Sequence, residues 1–152
     1  SEHGCSNDPQ LKPDEIRQLT GLVDEDISDA IDELQGQRLV NRQTTLGCDT
    51  IGFHSLTPES ELFVRFDHYF MPWNPESDAL RIAADLINGI EDSMNIMNLA
   101  ASHGWLPRRM NPAINYLADR QLVMVSQMLS YPWVTPWIRR LPKTRRFIRD
   151  RS

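Results

Sequence analysis

At 152 residues, 40% of them apolar, the chain can bury one ordinary core or two small ones, and no apolar run approaches the length that crosses a bilayer. The opening stretch SEHGCSNDPQ lacks the apolar segment of a secretory signal, so a soluble, cytoplasmic protein with no membrane contact is expected. The formal net charge of −5 hides a split: residues 1–76 hold 5 Lys/Arg against 15 Asp/Glu, a balance of −10, and residues 77–152 hold 11 against 6, a balance of +5. A polyanion would be drawn to the second half alone.

In the first half, Pro13, Asp14 and Glu15 open a short helix that carries Ile16 and Leu19 and stops at Gly21, a residue suited to the left-handed position after a helix. Asp24 is placed to cap a second helix, in which Ile27, Ala30, Ile31 and Leu34 keep the spacing of one buried face. Residues 39–46 and 50–56, separated by Gly47, Cys48 and Asp49, read as a β-hairpin. Thr57 then predicts a helix cap, with Pro58 at the first helical position.

The second half repeats the first. Residues 21–46 align without a gap on residues 104–129, 83 positions later, with Gly21/Gly104, Ala30/Ala113, Ile31/Ile114, Leu34/Leu117, Leu39/Leu122, Val40/Val123 and Leu46/Leu129 identical. These are the residues of a scaffold, so function is sought in what differs. A long helix is predicted over 78–89, then a short one near 97–102, and one around 109–118 in which Pro112 belongs at the first position, capped by Asn111. Strands over 122–129 and 133–141 and a final helix from Pro142 complete the order. Residues 1–71 form the first repeat, 72–77 a linker and 78–152 the second repeat.

The order helix, turn, helix, hairpin, helix, with residues 22–40, the run Leu56-Thr57-Pro58-Glu59 and their counterparts near Leu141-Pro142-Lys143, resembles the winged helix-turn-helix superfamily. The resemblance implies a tandem winged-helix chain, mainly α with small β-hairpins (α+β). Two departures stand out. The residue before each Leu-Val pair, commonly glycine in that superfamily, is Arg38 or Gln121, so the helix-to-strand corner is expected elsewhere, with Gly36 a candidate. The first repeat also lacks a counterpart of the helix over 78–89, which is therefore expected from outside residues 1–152 or from another chain.

In the superfamily, the solvent face of the second helix of the motif enters the major groove and the wing touches phosphate or the minor groove. In the first repeat that face carries Glu25, Asp26, Ser28, Asp29, Asp32 and Glu33, which duplex DNA repels. A solvated acidic face is the simpler reading and a docking face for a basic protein the sharper one. In the second repeat it carries Arg108, Arg109, Asn111, Asn115 and Tyr116, with Arg120 beyond. Arginine suits guanine and asparagine suits adenine, and Arg139, Arg140, Lys143, Arg145, Arg146, Arg149 and Arg151 suit phosphates, although solubilising charges are the plainer alternative. Trp73 and Trp105 are expected inside, and Trp133 at the wing tip.

His54, His68, His103 and Cys48 have no metal-ligand spacing, Cys5 and Cys48 form no C-x-x-C pair, and no nucleophile motif is present. The expectation is therefore a non-enzymatic protein without metal or cofactor: a DNA-binding regulator that contacts double-stranded DNA through its second repeat, with the first repeat for protein interaction or dimerisation. The competing expectation is an interaction subunit that binds no DNA, similar to the tandem winged-helix subunits of chromosome-condensing and membrane-remodelling complexes. Pairing between the acidic and basic faces, within one molecule or between two, is a further expectation.

Overall fold

The computed structural model describes every residue except Ser6, Cys48, Asp49 and Ser152. Helix α1 (Pro13–Thr20) opens with proline where no N–H is needed, and the Glu15 carboxylate accepts the Lys12 N–H at 2.7 Å. Helix α2 (Asp24–Gly36) turns Ile27 and Ile31 inward. Strands β1 (Val40–Gln43) and β2 (Ser55–Pro58) pair antiparallel, and helix α3 (Ser60–Phe70) follows. Pro58 does not open α3 as predicted: it faces Val40 as the last residue of β2, where a missing N–H costs little. The expected turn at Cys48 and Asp49 lies outside the described residues.

Helix α4 (Pro75–Asn88) starts before residue 78, because the Asn74 side chain caps it by accepting from the Glu76 and Ser77 N–H groups at 2.9 and 3.2 Å. The expected linker over 72–77 thus shortens to the few residues between α3 and α4. Strand β3 (Ser93–Asn95), helices α5 (Ile96–His103) and α6 (Pro107–Asp119), strands β4 (Val123–Val125) and β5 (Trp137–Arg140) and helix α7 (Pro142–Arg149) complete the chain. The second sheet has the order β3-β5-β4, antiparallel throughout. The architecture is α+β, with seven helices and two small sheets among the described residues.

Helices α2 and α6 have the same 13-residue length and begin 83 positions apart, as the alignment requires. Both end alike. The Leu39 N–H donates to the Leu34 carbonyl and the Leu122 N–H to the Leu117 carbonyl, each at 2.9 Å, while Arg38 and Gln121 donate to Gln35 and Ala118, also at 2.9 Å. This closing pattern needs a left-handed residue after the helix, and Arg38 and Gln121 supply it at φ of 58° and 55°. The corner is therefore made by the non-glycine residues themselves, and Gly36 is simply the last residue of α2. Leu11 pairs with Leu56 through two backbone hydrogen bonds, so it lies beside β2 as β3 lies beside β5.

Pro112 sits inside α6, which begins at Pro107 rather than at the predicted Pro112. The first turn persists without the bond that Pro112 cannot make because Arg108 and Arg109, on that turn, are each held by a buried carboxylate.

Two cores result. In the second half, α4 lies across α6, α7 and β5, and Ile82, Leu86, Met110, Ile114, Leu117 and Ile138 are wholly buried. The first half has a smaller cluster around Ile16, Ile27, Ile31, Phe53 and Leu56. It has no helix in the place of α4, because residues 1–10 contain none among those described. These residues instead gather around the buried Asp8 carboxylate, which accepts from the His3 N–H at 2.8 Å, and they rest on α6, where the Asn111 amide donates to the His3 carbonyl at 2.8 Å. Helix α3 likewise leans on α4 and α6.

Candidate functional site

The helix expected to read DNA, α6, has no open face. Arg108 donates through Nη1 and Nη2 to the two oxygens of the buried Asp67 at 2.6 and 2.7 Å, and its guanidinium lies 4.8 Å from the centre of the Phe63 ring. Arg109 donates through Nε and Nη2 to the buried Asp78, both at 2.7 Å, and stacks on Trp105 at 4.3 Å. Hydrogen bonding to Asp78 outweighs burial and, with the charge beside it, holds Arg109 above the ordinary arginine pKa. Such forked, charge-assisted pairs hold one edge of each guanidinium against a buried carboxylate.

Asn111 is completely buried. Its Nδ2 donates to the His3 and Pro132 carbonyls at 2.8 and 2.7 Å, and its Oδ1 accepts the Val134 N–H at 3.0 Å. That amide ties the leader, residues 1–10, and the β4–β5 connection to α6, and it is too deeply buried to reach a base. Tyr116 is buried as well and donates to Glu76 at 2.9 Å; burial first, then the Glu76 contact, raises its pKa. Asn115 is half-buried. The expectation that Arg108, Arg109, Asn111, Asn115 and Tyr116 form one solvent-facing surface is thus corrected: Asn111 and Tyr116 are buried, and Arg108 and Arg109 are paired internally.

On β5 and α7 the residues part ways. Arg140 pairs with Asp92 and also reaches the Leu86 carbonyl at 3.3 Å, whereas Arg139 is exposed and lies over the Trp137 ring at 5.6 Å. Lys143, Arg145, Arg146 and Arg149 on α7 are exposed. Trp105 is inside as expected, and Trp133, at the tip between β4 and β5, is half-buried.

The acidic face of α2 is where the sequence places it. Glu25, Asp26, Asp29, Asp32 and Glu33 are all exposed. Asp32 pairs with Arg42, and Glu33 accepts from Gln37 at 3.3 Å; Glu25, Asp26 and Asp29 have no ion pair or hydrogen bond among the described residues. The two halves do meet through opposite charge, but the carboxylates come from α3, as Asp67 to Arg108 and Glu61 to Arg120, and not from α2.

Asp67 and Asp78 carry this arrangement, and both were missed from sequence. A signal existed: Asp67 shares the stripe of Phe63 and Phe70, and Asp78 that of Ile82, so each carboxylate occupies an apolar face and needs a buried partner. Among the described residues no three His, Cys, Asp or Glu side chains gather as a metal site, and no helix is long and apolar enough to cross a membrane.

No protein-family model matches the chain, and neither a curated protein nor a solved structure matches it.

Proposed function

We propose that the chain is a tandem winged-helix protein-interaction module, with the second repeat a closed scaffold and the first repeat presenting α2 to a partner protein. The observation that carries this reading is the capture of Arg108 and Arg109 by Asp67 and Asp78, which leaves the second repeat without a groove-reading face while α2 stays open. The free, buried thiol of Cys5 suits a reducing, cytoplasmic setting.

The test is a polarisation titration of the intact chain with duplexes of random and selected sequence at low and physiological salt. No sequence preference is expected. A selected duplex bound about a thousandfold or more tighter than random duplex would defeat this reading and restore the regulator.

A second reading has its own observation. Arg139, Lys143, Arg145 and Arg146 form an exposed basic run along β5 and the start of α7, which suits sequence-independent contact with a nucleic-acid backbone. If that surface binds, Lys143→Ala should lower affinity equally for all sequences and flatten the salt slope by about one charge.

A further inference from the structure

Helices α2 and α6 hold equivalent places, but only α6 is covered. Ala113 and Leu117 are wholly buried, whereas their equivalents Ala30 and Leu34 are exposed and half-buried; Trp105 is 7% exposed against 47% for its equivalent Leu22. The cover is α4, which lies across α6, α7 and β5. In the first half, α1, α2 and β2 line an apolar cavity of about 210 Å³ between Ile16, Leu19, Ala30, Leu34 and Leu56. Leu34 also lines a neighbouring cavity of about 390 Å³ beside Leu62, Phe66 and Phe70. Together they make a groove along α2, α3 and β2, the counterparts of the elements that receive α4 in the second half, with α1 as a further wall.

Charge says what belongs there. Arg109 of α6, answered by Asp78 of α4, is equivalent to Asp26 of α2, and Arg108 is equivalent to Glu25. A helix lying on α2 as α4 lies on α6 would face Asp26 where Asp78 faces Arg109, so the sign of its first-turn residue must reverse. We propose that this groove binds one amphipathic helix of a partner protein, about as long as α4. The helix carries small or aliphatic residues at the spacing of Ala79, Ile82, Ala83 and Leu86, preceded by a Lys or Arg in the place of Asp78. The proposal rests on the interaction-module reading and names its partner's chemistry. A second copy is a poor occupant, because α4 buries those four residues within its own half. The leader is engaged on α6.

The probe is a labelled peptide of sequence 75–88, crosslinked on its outer face because isolated helices of this length are marginal, made with Asp78 or with Asp78→Lys. Polarisation with the intact chain should show the Asp78→Lys peptide binding about tenfold tighter or more, since like charges brought face to face are strongly disfavoured. Asp26→Lys in the protein should invert that preference. Leu19→Asp and Ala30→Arg, both at exposed positions, should abolish binding while circular dichroism and thermal midpoint stay as in the unaltered chain. Absence of binding, equal affinity of both peptides, or indifference to Asp26 and Leu19 would each overturn the proposal. So would a doubled sedimentation mass that Leu19→Asp returns to the monomer, which would give the groove to a second copy. Sequence-selective duplex binding strikes the interaction reading itself, whereas an indifferent peptide strikes only the helix.

Discussion

Asp67 of α3 and Arg108 of α6, 41 residues apart, meet through two hydrogen bonds of 2.6 and 2.7 Å, and the carboxylate is buried. This contact joins the two halves and closes the N-terminal turn of α6. Removing one member of such a pair strands the other charge in a poorly solvated place, which is worse than never having built the pair. Asp67→Ala should therefore lower unfolding stability by about 3 kcal/mol in urea titrations. A midpoint equal to that of the unaltered chain would show that the contact contributes nothing.

A contrast tests whether location or charge matters. Asp26→Asn and Asp29→Asn, on the exposed face of α2, should leave the urea midpoint unchanged, whereas Asp78→Asn should lower it clearly, because Asp78 is buried against Arg109. Equal losses at all three positions would mean that this face of α2 is not open to solvent.

Arg38 and Gln121 both hold a left-handed backbone that side chains bearing a Cβ adopt at a cost of roughly 1–2 kcal/mol. Glycine removes that cost but loosens the unfolded chain, so Arg38→Gly should raise stability by about 0.5–1 kcal/mol, and Gln121→Gly likewise. Arg38→Val should do the opposite. Calorimetry that finds Arg38→Gly destabilising would show that the Arg38 side chain makes a contact outweighing the strain.

The leader gives an acid-sensitive element. Burial by itself would raise the Asp8 carboxyl, but hydrogen bonds from the Ser1 hydroxyl, the His3 N–H and ring, and the Cys5 thiol overcome it and bring the pKa from 3.8 to about 2. A carboxyl depressed on folding stabilises above its unfolded pKa and loses that contribution as pH falls through the folded one, so the effect is full above about pH 5 and fades from about pH 4 to 2. Asp8→Asn should flatten the stability profile across that window, and amide exchange at Gly4 should quicken. An acid limb unchanged by the substitution would assign the sensitivity to other carboxylates.

Much of the local structure is legible in the residues alone. Gly21 and Gly104 mark helix ends, the apolar spacing of Ile27, Ile31 and Leu34 recurs 83 positions later in Met110, Ile114 and Leu117, and α2 and α6 follow that register to the residue. These signals are short-range: backbone conformation at a glycine and the period of a helix act within one or two turns. At Pro58 and Pro112 the boundaries differ because proline fits two roles there and tertiary contacts choose between them, whereas α4 starts early at Pro75 through the local Asn74 cap.

Which charges remain free was not legible. An arginine on a helix surface has the same sequence whether it faces solvent or a buried carboxylate, and the partners of Arg108 and Arg109 come from 41 and 31 residues away. The sequence by itself determined the repeat, the helix phases and the sign of each face. Tertiary structure alone decided that α6 is closed and α2 is open, because α3, α4 and the leader all pack on α6, whereas α1 and β1, which pack on α2, cover only its inner face.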